Sequence, residues 1–425
     1  MAATLPFAVV VIALAGAPLF VIFGAAALMA FKSTGTDPAA IIIEMNRLVS
    51  APTLSAIPMF TFAGYLMAES KTPERLVNLS RALFGWMPGG LALVSIVACA
   101  FFTAFTGASG VTIIALGGLL YPILVKEGYG EKFSTGLMTA GGSLGLLFPP
   151  SLPLILFGLI ASVSVDQLFM AGIIPGFLIM VILGFYAIYQ GRHSHAVRTP
   201  FRLKEVGRAI WKAGWEIPLP FIILIGIYSG TFTANEAAAV AAFYIFVVEV
   251  FIYRDVHLFR DVPRIVKDSM VLVGSILVIL AVAMGFTSYL VDEQIPNKIF
   301  EWIQTFVTSK WVFLIALNVF LLIVGALMDI FSAIIVVVPI ILPIAKKFGV
   351  DPVHLGIIFL TNLEIGYITP PVGINLFISS IRFKKSITHL YRVSLPFLFL
   401  LLIALAIITY WPDLSLYLIR VMGIQ

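Results

Sequence analysis

The chain has 425 residues, of which 61% are hydrophobic and 11% charged, with a formal net charge of +5 and a mean hydropathy of +1.09. So few charges cannot cover the surface of a soluble domain of this length, which excludes a soluble enzyme or a nucleic-acid-binding domain and leaves the lipid bilayer as the solvent. The basic surplus sits in short loops between apolar runs and is a topology signal.

Apolar runs of 18 or more residues recur along the whole sequence, each long enough to cross a hydrocarbon core of about 30 Å. They are continuous, as at 217–227, 270–285 and 396–410, and do not alternate as barrel strands do, so they read as helices. The first run begins at Leu5 without a basic leader or cleavage site and reads as a membrane segment, one long span or two short ones over 5–31. The stretch 88–125 is apolar but interrupted at Thr106-Gly107-Ala108-Ser109-Gly110, which predicts a re-entrant helical hairpin. A helix over 134–163 is broken at Phe148-Pro149-Pro150-Ser151, and a span at 167–190 follows. The polar loop from Gly191 to Trp215 carries Arg192, Arg198, Arg202, Lys204, Arg208 and Lys212 against Glu205, and is assigned to the cytoplasm.

Spans at 217–233, 236–253 and 271–291 come next, with Glu236 reading as a helix-start residue between the first two. The loop 292–310, with Asp292, Glu293 and Glu301 against Lys298 and Lys310, suits the outer face. A second interrupted stretch, 312–345, breaks at Met328-Asp329-Ile330-Phe331-Ser332. A second broken helix, 354–380, breaks at Thr369-Pro370-Pro371-Val372. The loop with Arg382, Lys384, Lys385 and Arg392 carries no acid and is again cytoplasmic. Cys99 is the single cysteine and excludes an internal disulfide. The five histidines show no metal-ligand spacing. Neither a P-loop nor a dinucleotide glycine pattern appears.

An offset of 221 residues superimposes the punctuation of the two halves. Pro122 meets Pro343, Lys126 meets Lys347 and Gly128 meets Gly349; Gly145 meets Gly366, Pro149-Pro150 meets Pro370-Pro371, and Pro175 meets Pro396. Five crossings separate the loop 126–133 from its mate at 347–354, provided 312–345 enters and leaves on one side. An odd count inverts the repeat. The expected architecture is therefore an all-α polytopic membrane protein of two inverted-topology repeats, 1–190 and 216–425, joined by the linker 191–215. Each repeat holds one re-entrant hairpin and one discontinuous helix.

Two consecutive prolines remove two N–H donors and clash with preceding carbonyls, so each helix must open there. The free carbonyls attract cations and the half-helix N-termini attract anions. At the first hairpin tip, Thr106, Ser109 and Thr112 offer hydroxyls beside bare backbone at Gly107 and Gly110; Asp329 and Ser332 occupy the second tip. These are hard oxygen donors suited to an alkali cation. A carboxylate at Asp329, amid Ile323 to Ile335, needs a partner or a cavity. Glu364 precedes the second break and Asn375 follows it. With no basic residue deep in either repeat, an anionic substrate would be held by hydroxyls, amides and half-helix N-termini, with bound cations lending charge. On the residues alone, a stand-alone sodium/anion symporter, a channel and a non-transporting membrane subunit stay open.

The stretches GGSLGLLFPPSLPLILFG (141–158), AGIIPG (171–176), NEAAAVAAFY (235–244) and DPVHLGIIFLTNLEIGYITPPVGINLF (351–377), with Met328-Asp329, resemble the large membrane subunit of tripartite ATP-independent periplasmic (TRAP) transporters. The resemblance covers essentially the whole chain. It implies a sodium-driven, elevator-type importer in the bacterial inner membrane. Its implied partners are a separate small four-helix membrane subunit and a periplasmic substrate-binding protein. The implied substrates are small organic anions such as C4-dicarboxylates, sialic acid, keto acids or sulfonates. Carried over by position, a first sodium site would use Thr106, Gly107, Ser109, Gly145 and Phe148. A second would use Asp329, Ser332, Gly366 and Thr369. The substrate would meet Thr112, Pro150, Ser151, Glu364, Pro371 and Asn375. The first tip departs from the serine-richer pattern of the family.

Overall fold

A computed structural model describes residues 17–35, 37, 39–87, 89–193, 201–307 and 309–423. Residues 5–16 of the expected run 5–31, and Arg198 in the linker, lie outside the described residues. Helices α1 (Leu19–Thr34) and α2 (Ala39–Val49) lead through a short turn into α3 (Ala56–Glu69) and the amphipathic α4 (Thr72–Phe84). Then come α5 (Gly90–Thr106), α6 (Ser109–Lys126), α7 (Glu131–Gly141), α8 (Leu152–Ala161) and α9 (Val165–His193). A surface helix α10 (Leu203–Lys212) precedes α11 (Pro218–Tyr228), α12 (Ala234–Ile252) and α13 (Asp261–Asp292). The remainder is α14 (Ile295–Gln304), α15 (Lys310–Leu327), α16 (Ile330–Lys347), α17 (Pro352–Gly366), α18 (Ile374–Phe383), α19 (Ile387–Tyr410) and α20 (Asp413–Met422). Among the described residues there is no strand, and seven helices (α6, α9, α12, α13, α15, α16 and α19) are long and apolar enough to cross a membrane.

Local chemistry sets the helix ends. Glu236 and Thr233 close a capping box at the start of α12, the structural role its position suggested. Asp351 caps α17 ahead of Pro352, Ser386 caps α19, and Ser151 caps α8 with Pro153 in its first turn. Helix α5 stops at Gly107, whose φ of 63° lies in the left-handed region that glycine reaches without strain.

The two interrupted stretches are hairpins whose ends meet. Arg81 of α4 pairs with Glu127 just after α6, and the Lys310 ammonium donates to the Gly349 carbonyl at 2.7 Å across the base of α15–α16. The tips are only two residues wide, 107–108 and 328–329. The helix bounds follow the 221-residue offset closely. Shifted by it, α6 coincides with α16, while α5, α7, α8 and α9 fall on α15, α17, α18 and α19. Both proline pairs, Pro149-Pro150 and Pro370-Pro371, are joined by cis peptide bonds. The halves interlock: α8 packs on the second hairpin, α18 on the first, and α7 on α19.

Outside this core, Arg75 ties α4 to the α10–α11 junction and to the end of α12. Its guanidinium pairs with Glu216, with Glu249 at 3.0 Å and with Asp255 at 2.5 Å, and lies 3.9 Å over the Tyr253 ring. The Glu216 and Glu249 side chains are completely buried. Removing one member of such a cluster strands buried charge. Arg75→Ala is therefore expected to lower stability by about 3–5 kcal/mol. A markedly lower thermal midpoint of the detergent-purified protein, only partly restored in Arg75→Lys, would be the readout.

Candidate functional site

Each broken helix opens against the tip of its own hairpin. In the first half α7 ends at Gly141, the chain turns through 142–151, and α8 starts at Leu152. Gly145 lies so close to α5 that a Cβ there would sit 2.2 Å from the Ala100 carbonyl oxygen and 2.4 Å from the Ala104 nitrogen. In the second half α17 ends at Gly366 and α18 starts at Ile374. A Cβ on Gly366 would lie 2.3 Å from the carbonyl carbon of Gly325. Gly145 and Gly366 are mates in the 221-residue register, as are Ala104 and Gly325. The same backbone-to-backbone approach is therefore built twice. Only a residue without a side chain lets an unwound segment reach a helix backbone this closely.

The loosened polar groups are met by specific donors and acceptors. The Thr103 hydroxyl donates to the Gly142 carbonyl at 2.9 Å and is 2.7 Å from the Thr112 hydroxyl. The Ser151 hydroxyl donates to the Leu146 carbonyl at 2.5 Å while accepting from the Leu154 N–H. At the second break the Gly373 N–H donates to the Ala326 carbonyl at 3.0 Å, and the Asn375 N–H to the Tyr367 carbonyl at 3.1 Å. The buried Tyr367 hydroxyl accepts from the Ile330 N–H at 2.7 Å. Thr369 donates to the Ile365 carbonyl, and Tyr391 to that of Pro371.

The expected site residues fall into three groups. Thr106, Gly107, Ser109 and Gly145 come together with Thr112 around the first tip, and the buried Thr106 hydroxyl has no protein partner. Asp329, Ser332, Gly366 and Thr369 surround the second tip. There one Asp329 oxygen accepts from the N–H groups of Phe331 and Ser332, both at 3.0 Å, capping α16. The third group points elsewhere. Phe148 packs edge-on against Phe177 and, with Pro149, lines an apolar cavity of about 390 Å³. Pro150 is buried, whereas Pro371 is exposed, so the second break is the more open of the two. Glu364 is 1% exposed with neither carboxylate oxygen hydrogen-bonded.

The breaks touch across the halves. The Asn375 amide donates to the Thr139 carbonyl at 3.2 Å, and the Thr139 and Ser379 hydroxyls are hydrogen-bonded at 2.9 Å. Its amide oxygen has no protein partner. Thr103, Thr139, Tyr367 and Ser379 are the polar residues that sequence reasoning passed over. Nothing in the local sequence singles out any of these hydroxyls, and only the fold shows which of them face a break.

The family profile described as "Tripartite ATP-independent periplasmic transporter, DctM component" matches residues 7–414. The chain belongs to this family. It is 40% identical over 374 residues to the C4-dicarboxylate TRAP transporter large permease protein of Pseudomonas aeruginosa, covering 88% of this chain and 87% of that one. It is 37% identical over 407 residues to the isethionate TRAP transporter permease protein DctMQ of Oleidesulfovibrio alaskensis, covering 95% of this chain and 64% of that longer one. In fold it resembles the crystal structure of the Alcanivorax borkumensis YdaH transporter, with a TM-score of 0.65 at 14% identity over 89% of this chain and 88% of that one. The chain is thus the large permease component of a binding-protein-dependent secondary transporter, an integral inner-membrane protein and not an enzyme.

Gly366, like Gly145, leaves no room for a side chain. Gly366→Ala forces α17 and α15 apart, and overpacking of this kind costs about 1–3 kcal/mol. Its thermal midpoint should fall clearly below that of Gly274→Ala, where an added Cβ meets nothing within 4 Å.

Proposed function

We propose that this chain carries a small organic anion inward on a sodium gradient, with the two breaks as ion sites and the substrate between them. The observation that carries the reading is the duplicated break, each lying under a hairpin tip rich in oxygen donors. At the first break the donors would be Ser109, the unpartnered Thr106 hydroxyl, and backbone around Gly107, Gly145 and Phe148. At the second they would be the remaining Asp329 oxygen, Ser332, and Gly366 and Thr369. Hard oxygens of this kind suit an alkali cation. Glu364, buried without a hydrogen-bond partner less than one turn before Gly366, would be among the groups that meet the substrate.

The substrate would sit near Thr112, Pro150, Ser151, Pro371 and Asn375. The Asn375–Thr139 contact supports this, because there the two broken helices meet. The substrates named for these two relatives, a C4-dicarboxylate and isethionate, are small anions and support that class for this chain. Two sodium ions with a monoanion would move one net positive charge, a drive of about 2.3 kcal/mol per 100 mV.

The inverted repeat follows from hairpins that enter and leave on one side, which the Lys310–Gly349 contact supports for the second. Lys385, in one basic loop, pairs with Glu131 beside the loop 126–133, consistent with both on the cytoplasmic face. The repeats 1–190 and 216–425 would then divide their labour, hairpins and broken helices sliding as one body against the rest. The partners would be a small four-helix membrane subunit and a periplasmic binding protein that delivers the anion.

The test is uptake into proteoliposomes holding this chain, the small subunit and the binding protein, with C4-dicarboxylates, isethionate and sialic acid as trial substrates. Uptake should require an inward sodium gradient and the binding protein. Asp329→Ala should abolish it, and Asp329→Asn, which keeps an oxygen for the cap, should fold as the parent does. Sodium-independent uptake, or unchanged uptake in Asp329→Ala, would overturn the reading. Uptake without the binding protein would make the chain a stand-alone symporter.

A further inference from the structure

At the start of α16 the first intrahelical bond runs from the Ala333 N–H to the Asp329 carbonyl, at 2.9 Å. The N–H groups of Ile330, Phe331 and Ser332 come before it and need acceptors from elsewhere. One Asp329 oxygen takes those of Phe331 and Ser332, both at 3.0 Å. The Tyr367 hydroxyl takes the third, accepting from the Ile330 N–H at 2.7 Å. Ile330 and Tyr367 are 2% and 4% exposed, so bulk water does not reach this contact.

The backbone of Tyr367 fixes where its ring can go. Its N–H donates to the Leu363 carbonyl at 3.0 Å, and its carbonyl accepts from the Asn375 N–H at 3.1 Å. One residue earlier, Gly366 lies against the backbone of Gly325. A single residue therefore joins the end of α17, the hairpin tip and the start of α18. In the 221-residue register the mates of Asp329, Ile330 and Tyr367 are Ala108, Ser109 and Leu146. The first tip has neither the carboxylate nor the tyrosine, and α6 begins without a side-chain cap. The tyrosine stands in the half whose tip carries a carboxylate.

We propose that Tyr367 is a positioning residue of the second ion site: by accepting the Ile330 N–H, its hydroxyl leaves the second Asp329 oxygen free to meet a cation. The role rests on Asp329 being an ion ligand, as proposed above, and adds a residue that does not itself touch the ion. Without the hydroxyl a buried N–H is left unsatisfied beside a carboxylate that already caps the next two. That carboxylate is drawn over the positive end of the helix. The cation then competes with an N–H for the same oxygen, and its affinity falls.

The full-length protein in detergent is titrated with sodium chloride, with choline chloride holding the ionic strength, and its thermal midpoint is followed. Asp329→Ala defines the part of the sodium-dependent rise that belongs to the second site. In Tyr367→Phe the half-saturating sodium concentration of that part should increase about tenfold, the equivalent of one hydrogen bond. Ile330→Pro/Tyr367→Phe removes the donor together with its acceptor. Asp329, at φ −72° and ψ 158°, already has the conformation that a following proline requires, and proline suits the first helical position. The double variant should return to the wild-type half-saturation. Thr409→Val, which takes a buried partner from the Asn318 amide away from the tip, should lower the midpoint and leave half-saturation unchanged. An unchanged half-saturation in Tyr367→Phe would overturn the proposal, as would an equal increase in Thr409→Val or no restoration in the double variant. Should Tyr367→Phe not fold, the double variant decides alone: wild-type half-saturation supports the proposal and a tenfold increase overturns it. A wild type without any sodium-dependent rise, or a rise that Asp329→Ala leaves intact, would overturn the ion-site reading itself and this role with it.

Discussion

A proline pair in the middle of a membrane-embedded helix strips hydrogen-bond partners from several backbone groups where no water is at hand to replace them. Everything distinctive in this structure follows from that constraint. The first break is sealed by Thr103, which holds the Gly142 carbonyl, and by Ser151, which holds that of Leu146. The second is sealed by the Gly373 contact to Ala326 and by Tyr391 on Pro371. A hairpin tip has to be present to supply part of these partners, and glycines at 145 and 366 let it approach. Break, tip and glycine form one unit, and the chain builds the unit twice.

The two copies are alike in backbone and unlike in chemistry. The first tip offers neutral hydroxyls and a buried break; the second offers a carboxylate and a break with Pro371 exposed. A carboxylate at only one of the two tips makes their electrostatics unequal. The asymmetry also follows from packing. The first break is covered by α9 through Gly172, which presses on the Leu147 carbonyl, and by the ring of Phe148 over Gly176. The exposed Pro371 carries only the Tyr391 hydroxyl on its carbonyl.

Most of the fold was legible because its main signals are local. Pro149-Pro150 and Pro370-Pro371 mark breaks wherever they occur, and Gly107 and Asp329 mark hairpin tips by backbone freedom and by capping. The site was legible only in part. Thr106, Ser109, Asp329 and Gly366 stood out because they interrupt apolar runs. Thr139 and Ser379 did not, since a lone hydroxyl in a helix usually bonds its own i−4 carbonyl, as Thr139 also does with Thr135. Phe148 lies in the break by its backbone, while its ring turns into the apolar cavity. Main-chain position follows from local sequence, whereas side-chain direction does not.

By itself the sequence determined that the chain lives in a membrane, where its helices break, and that the breaks recur at a fixed offset. Those are properties of hydropathy and of proline, which act within a few residues. Only the tertiary structure decided that each tip roofs its own break while α8 and α18 pack on the hairpins of the opposite halves. It alone gathered Arg75, Glu216, Glu249 and Asp255 into one cluster. These contacts join residues far apart in the chain, and no local propensity encodes them.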